Sequence, residues 1–305
     1  MKWEKLGRVF CPKGEREWMN SHAAVPIAEN FKTGTDLVKV YFSSRDKNNK
    51  SSISWLIFDI KEPERILELC EKPLLQSGEL GTFDDSGVMT TCLVKHGEDR
   101  YLYYIGWNLG VTVPFRNSTG LAISRDGSDF VKMFEGPIID RTAKEPHFNA
   151  GVSVLPSIDI WRMWYLSCTG WTIDEHGKPK HSYHIKYAES IDGIQWKRDG
   201  IVAIDFKDEN EYAISQPSVI RDDDGFKMWF SSRGDKYRIR YAESVDGINW
   251  IRIDEPLEVG IDVSLSGWDS DMIEYPCVFD HNGRKYMLYN GNDYGKTGFG
   301  LAVEA

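Results

Sequence analysis

Apolar positions along this chain gather into short runs, rich in aromatic and β-branched residues and bounded by Gly, Asp and Asn. Runs of that kind predict strands rather than helices. Five of them are strongly aromatic: VKVYFSSR, RYLYYIGWN, WRMWYLSCTGW, FKMWFSSRGD and KYMLYNGND. Their centres, Phe42, Tyr104, Tyr165, Phe230 and Tyr289, are spaced by 62, 61, 65 and 59 residues. One step upstream of each lies a shorter apolar strand that starts from a polar residue. These centre on Val25, Val88, Val152, Val219 and Val278, spaced by 63, 64, 67 and 59 residues. Downstream, IKYAESIDGIQWKR (Ile185 to Arg198) and IRYAESVDGINWIR (Ile239 to Arg252) match closely at an offset of 54 residues. GLAISRDGSDFVK, from Gly120, is a weaker copy, and GFGLAVEA at the C-terminus is a truncated one. The Asp-Gly pair in the two close copies predicts a tight turn between a third and a fourth strand.

Units of about 60 residues, repeated five times with three or four strands in the same order, predict an all-β, five-bladed β-propeller. The ends of the chain fit that ring. Trp3-Glu4-Lys5-Leu6-Gly7-Arg8-Val9 repeats the Trp, Gly and Val spacing of the fourth-strand segment Trp196 to Val202, while the last unit stops after its third strand at Ala305. The N-terminal strand is therefore expected to complete the last blade and close the ring. The chain reads as one domain over 1–305, with blades at 18–77, 78–142, 143–207, 208–262 and 263–305 plus 1–10. The polar insertion from Thr172 to Ser182 predicts a rim loop.

Composition narrows the function. The net charge is −10, which argues against nucleic acid or an anionic membrane as partner, since both need a basic face. It leaves room for a neutral sugar, or for a single phosphate held by a few arginines. The first residues lack an apolar leader core, and no apolar stretch approaches a membrane span, so a cytoplasmic protein is expected. Five cysteines without CxxC spacing read as free thiols in a reducing compartment. No cofactor and no metal site is expected, and nucleotide-binding and serine-hydrolase motifs are missing from the sequence.

In a propeller the innermost strands converge on the central channel. Counting back three from each valine gives His22, Asp85, Asn149, Gln216 and Tyr275; counting back four gives Ser21, Asp84, Phe148, Ser215 and Glu274. This ring holds several carboxylates, although polar residues line any wet channel. It resembles the five-bladed glycoside hydrolase families 43, 32, 62 and 68, and more distantly family 130. Trp18-Met19-Asn20-Ser21-His22 resembles the WMND segment of family 32, with Ser21 where that family has its nucleophilic Asp. Glu274-Tyr275-Pro276 resembles the Glu-x-Pro that carries the general acid in family 43. Asp85 occupies the kind of position from which family 43 presents its base, and Gln216 stands where its third carboxylate would fall. The resemblance implies a carbohydrate or glycoside substrate, with Asp85 as base or nucleophile and Glu274 as acid. Asp84 and Asp271 are the nearest substitutes. Glycosidic cleavage needs such a pair, roughly 6.5–9.5 Å apart for inversion and roughly 5–5.5 Å for retention.

Other residues are open to two readings. Glu145 and His147, in KEPHFNAG, and Glu211 with Tyr212 precede inner strands as sugar contacts or as solvated loops. Asp269 and Asp271 in GWDSDMIEYP bind a ligand or simply form turns. Arg45 and Arg233, matched in FSSRD and FSSRGD, clamp a carboxylate or phosphate or form ordinary ion pairs. Trp107, Trp171 and Trp268 lie in loop-like contexts suited to stacking on a sugar, whereas Trp164 and Trp229 read as core. His181 and His184 fall on opposite faces of a strand, against a metal pair. Three functions follow: a glycoside hydrolase; a phosphorylase or transferase variant using Arg45, Arg116, Arg141 or Arg233 for phosphate; and a sugar-binding propeller without catalysis.

Overall fold

The computed structural model describes residues 1–30 and 34–305; of the first expected blade, residues 31–33 lie outside the described residues. The chain opens with strand β1 (Trp3–Phe10). Four sets of four antiparallel strands follow. The first is β2 (Ser21–Asn30), β3 (Leu37–Arg45), β4 (Ser51–Asp59) and β5 (Glu62–Leu69). The second is β6 (Gly87–His96), β7 (Asp99–Leu109), β8 (Phe115–Ser124) and β9 (Val131–Lys132). The third is β10 (Asn149–Leu155), β11 (Trp161–Ile173), β12 (Pro179–Ser190) and β13 (Val202–Ile204). The fourth is β14 (Ala213–Asp222), β15 (Gly225–Arg233), β16 (Tyr237–Ser244) and β17 (Ile251–Ile253). The last three strands, β18 (Glu274–His281), β19 (Arg284–Asn290) and β20 (Phe299–Glu304), take β1 as their fourth, in the order β1-β20-β19-β18. Helix is confined to two four-residue turns, and no helix among the described residues is long and apolar enough to cross a membrane.

Packing explains the periodicity. The aromatic second strands are buried on both faces, with Tyr41, Phe42, Tyr103, Tyr104, Tyr165, Phe230 and Tyr289 inaccessible to solvent. Five apolar clusters fill the spaces between successive sets, and a sixth, with Ile105, Leu166, Ala213 and Tyr237, bridges several sets. The first and second share Tyr41, Ile53, Leu102 and Tyr104. The fifth and first share Val40, Phe58, Leu288 and Leu301, with Val9 from β1. The innermost strands are also stitched together near the axis. The N–H groups of Val154, Val219, Val278 and Ala28 donate to Cys92 Sγ, Ser153 Oγ, Ser218 Oγ and Cys277 Sγ, at 3.4, 3.1, 2.8 and 3.4 Å. Thr90 Oγ1 donates to the Val25 carbonyl. All five cysteines are free thiols.

These bonds fix which inner-strand residues are equivalent. Val278 corresponds to Val219, Val154, Leu93 and Ala28, so the valine alignment fails at Val25, Val88 and Val152. Each inner strand is bulged, and the bulges follow unequal approach segments. Three bulges share one device, a residue with positive φ before a proline: Val25-Pro26 (φ 52°), Gln216-Pro217 (46°) and Tyr275-Pro276 (53°). Proline is tolerated there because the bulge withdraws its nitrogen from the ladder. The proline of the Glu-x-Pro segment is therefore an architectural repeat.

The Thr172–Ser182 segment is a long hairpin rather than a loose loop, since β11 and β12 stay paired from Cys168–Tyr183 out to Ile173–Pro179. The N-terminal strand is anchored by Trp3, which is buried and packs edge-to-face on Trp229 at 5.9 Å. Trp3→Ala is expected to cost about 3–5 kcal/mol in urea unfolding. An unchanged midpoint would mean that β1 does not secure the last set of strands.

Candidate functional site

Four of the carboxylates that precede inner strands are consumed as structural locks. Asp84 is buried, meets Lys132 Nζ of β9 at 2.6 Å and accepts the Tyr104 hydroxyl at 3.3 Å. Glu145 is buried against Lys186 and Arg198, each at 2.9 Å, and accepts the Tyr165 hydroxyl at 2.9 Å. Asp269 meets Lys5 of β1 at 2.6 Å and the Tyr289 hydroxyl at 3.1 Å. Glu211 takes a two-pronged grip from Arg252 of β17, at 2.8 and 2.9 Å, and a bond from Ser232. Four of the five sets thus tie the loop before the inner strand to a cation on or near the outer strands, beside the aromatic centre of the second strand. Where that centre is Phe230, which has no hydroxyl, Arg252 lies over the ring instead. Asp84 is therefore removed from the catalytic candidates, and Glu145 and Glu211 from the sugar contacts.

Asp85 sits on the rim. Its carboxylate accepts hydrogen bonds from Gly81 N–H at 3.0 Å, Ser86 Oγ at 2.9 Å and Asn108 Nδ2 at 2.7 Å. Slight burial pushes its pKa up, but those bonds outweigh it and hold the group below the usual carboxylate range. Asp271 is half exposed and paired with Lys236 at 2.8 Å. Trp268 stacks on Tyr289 inside the last set of strands, at 5.3 Å, and is a packing residue. Asn149 is buried and accepts from Thr119 Oγ1 at 3.2 Å. His22 touches Ser21 Oγ at 2.9 Å; burial first, then Arg45 and Lys296, push its pKa down to about 4. His147 lies outside the pocket described next.

A pocket of about 540 Å³ opens where the inner strands begin. One wall is apolar and aromatic. Phe115 packs on Phe148, Trp171 and His181 at 5.5–5.6 Å, and His181 stacks on Tyr183 at 4.9 Å. Burial first, then Arg233 and Lys180, push His181 down to about 4, so it is neutral at pH 7. The other wall carries Arg45, Asn49, Gln216, Arg233, Tyr275 and Tyr294, with Trp107 and Asn117 nearer the rim. Tyr294 arrives on a left-handed turn, with φ 57° at Asp293 and 58° at Tyr294. Such consecutive positive φ values are costly for non-glycine residues and persist only where the surroundings enforce them. No carboxylate is among the residues that line the pocket.

One carboxylate lies in the pocket's own layer. Strand register places Glu274 opposite Asn290, as Ser215 stands opposite Ser231, Ala150 opposite Leu166 and Met89 opposite Ile105. Ser215, Ala150 and Met89 all line the pocket. Glu274 is fully buried; neither oxygen makes a hydrogen bond of good geometry among the described residues, while the Tyr275 hydroxyl and the Tyr294 N–H lie close enough to favour its charged form. Burial drives its pKa well above the carboxylate range, against the opposing pull of Arg233 and Tyr275. Burial thus favours the protonated form of this carboxyl, the form a proton donor needs.

Of the residues expected from sequence, the structure brings Arg45, Arg233, Gln216 and Trp107 together in the pocket lining; Trp171 packs against the lining residues Phe115 and Phe148, and Glu274 is buried in register with the lining without belonging to it. It does not bring Asp85 and Glu274 to a common surface. The expectation omitted His181, Tyr183, Tyr294 and Phe115. For His181 the signal was present, since a histidine on the opposite face from His184 had to point somewhere.

No family model matches the sequence. The uncharacterized proteins MT1551 and Rv1502 of Mycobacterium tuberculosis (strains CDC 1551 / Oshkosh and ATCC 25618 / H37Rv) are each 44% identical over 303 residues, covering 99% of this protein and 99% of each relative. Among solved structures, a beta-1,2-mannobiose phosphorylase from Listeria innocua, in complex with beta-1,2-mannobiose, superposes with a TM-score of 0.71 at 12% identity. That match covers 100% of this protein and 97% of the other. A glycoside hydrolase gives a TM-score of 0.70 at 17% identity, over 98% and 90% of the two. The chain therefore belongs to one family with MT1551 and Rv1502, and its fold is that of the glycoside-hydrolase-like propeller enzymes.

Proposed function

We propose that the chain is a carbohydrate-active propeller of five blades, closed by β1 in the last blade, and that its pocket processes a glycosyl unit. Glu274 supplies the proton to the departing glycosidic oxygen while water, or phosphate where it is the acceptor, bonds to the anomeric carbon. The observation that carries this reading is a buried Glu274 carboxyl in strand register with residues of a pocket lined by aromatic rings, amides, phenols and guanidiniums. Aromatic faces suit the C–H face of a sugar, and the polar wall suits its hydroxyls. Asp85, already saturated by three hydrogen bonds on the rim, is not assigned the role of base. The test is a panel of aryl glycosides and oligosaccharides, assayed with and without phosphate. Glu274→Gln is expected to lower turnover about 100-fold or more while retaining binding, and Asp85→Asn to leave turnover within about twofold. Undiminished turnover in Glu274→Gln would refute the assignment. A sugar-binding role without catalysis is favoured by the carboxylate-free lining. It predicts calorimetric binding by the parent protein with no turnover on any member of the panel.

A further inference from the structure

We infer that the pocket takes a ligand bearing an oxyanion, a phosphate or carboxylate, held between Arg45 and Arg233. This rests on the reading of the pocket as a glycosyl site and adds to it the charge of what enters.

The two arginines end equivalent strands, β3 and β15, in the repeated Phe-Ser-Ser-Arg segment, and both line the pocket from different sets of strands. Arg45 is partly buried, and its guanidinium has no ion pair or hydrogen bond among the described residues. Arg233 also lacks a carboxylate partner. Its Nη1 donates to the Tyr294 hydroxyl at 2.5 Å, and the guanidinium lies 5.4–5.8 Å from the ring centres of Tyr212, Tyr237 and Tyr294. Those rings fix its plane and leave donors unspent. Arg100–Glu29, Arg198–Glu145 and Arg252–Glu211 pair shielded arginines with carboxylates, whereas Arg16 and Arg162, away from the pocket, have no ion pair among the described residues.

Glu274 makes no ion pair with either arginine among the described residues, and burial disfavours its charged form. Lys180, over the Tyr212 ring at 3.6 Å, adds positive charge near Arg233. A chain of net charge −10 thus has a pocket mouth with uncompensated cations and no lining carboxylate. Desolvating two guanidiniums without counter-charge is unfavourable, and an oxyanion between them offsets it with charge-assisted, two-pronged bonds.

The anion has two sources, inorganic phosphate or a group borne by the sugar, and calorimetry separates them with four probes: inorganic phosphate, a hexose, the same hexose as its monophosphate, and the corresponding hexuronate. At least one anionic probe is expected to bind. Arg45→Gln and Arg233→Gln should each weaken it about tenfold, and the double variant about 100-fold. Arg65→Gln, on β5 and outside the pocket, should leave it unchanged. A charged sugar binding at least about tenfold tighter than both the hexose and phosphate places the anion on the sugar. Phosphate binding equal to that of the sugar phosphate makes it a separate co-ligand. Far-ultraviolet circular dichroism and melting curves establish that the double variant is folded. Binding of every anion unaltered in the folded double variant, or no anion binding to the parent, overturns the inference. Neutral oligosaccharide binding without anion dependence would leave the glycosyl reading intact while removing this one. Phosphate binding without any sugar would do the opposite.

Discussion

Glu145→Ala is expected to lose about 3–5 kcal/mol of stability, because it leaves Lys186 and Arg198 buried without their counter-charge. Both cations are well shielded, at 15% and 11% side-chain exposure, so water cannot replace the carboxylate cheaply. The Tyr165 hydroxyl loses its acceptor in the same step. Denaturant titration reads the result as a lower midpoint. Asp85→Ala is the control. Its carboxylate, though similarly placed in sequence before an inner strand, bonds only its own rim, and its loss should cost about 1 kcal/mol or less. If Glu145→Ala cost no more than that, the locks would be incidental contacts and the acids before the inner strands would again be candidates for chemistry.

The second large effect is a pH dependence in Glu274→Gln. The folded protein holds the Glu274 proton far above the pH at which the unfolded chain, with a carboxyl near 4.5, releases it. A raised folded-state pKa gives stability that is fully present below about pH 4.5 and is lost as the pH rises through the folded value. Across that window the folded state binds the additional proton, so parent stability falls by up to about 1.4 kcal/mol per pH unit from this group alone. Glutamine does not titrate. The melting temperature of Glu274→Gln minus that of the parent should therefore rise as the pH is raised from about 5, and level off once the folded carboxyl has ionised. A flat difference would mean that Glu274 ionises in the fold as it does in the open chain, which would remove its role as a neutral acid.

The strands are legible in the sequence because their burial imposes a residue pattern. The second strands are buried on both faces, so they are near-continuous apolar, aromatic runs at a constant spacing. The pairing of Trp3–Phe10 with the last strand is legible for a similar reason, since it repeats the Trp, Gly and Val of a fourth strand. The inner strands resist because their bulges break the one-to-one count from an apolar residue back to a channel position. Val25 aligns with Val278 by pattern but shares its place in the fold with Tyr275.

Acids before inner strands look catalytic because sequence displays the carboxylate and hides its partner. Lys132 lies 48 residues from Asp84, and Lys5 lies 264 from Asp269. Arg45 and Arg233 stand out because they are repeats of each other. Glu274 stands out through a short motif whose proline has an architectural cause, which makes its burial, rather than the motif, the better reason to single it out.

The pairing of β1 with β20 has a consequence for how the molecule is made. The Lys2 carbonyl accepts the backbone N–H of Ala305 at 3.0 Å, and Asn290 bonds both Ala23 and Val25. The two ends of the chain are thus each other's neighbours. β1 is made long before its partner β20, and its edge stays unpaired until β20 exists. Docking of β1 is therefore the pairing that must wait for all the other described strands, which makes closure of this sheet a late step in folding.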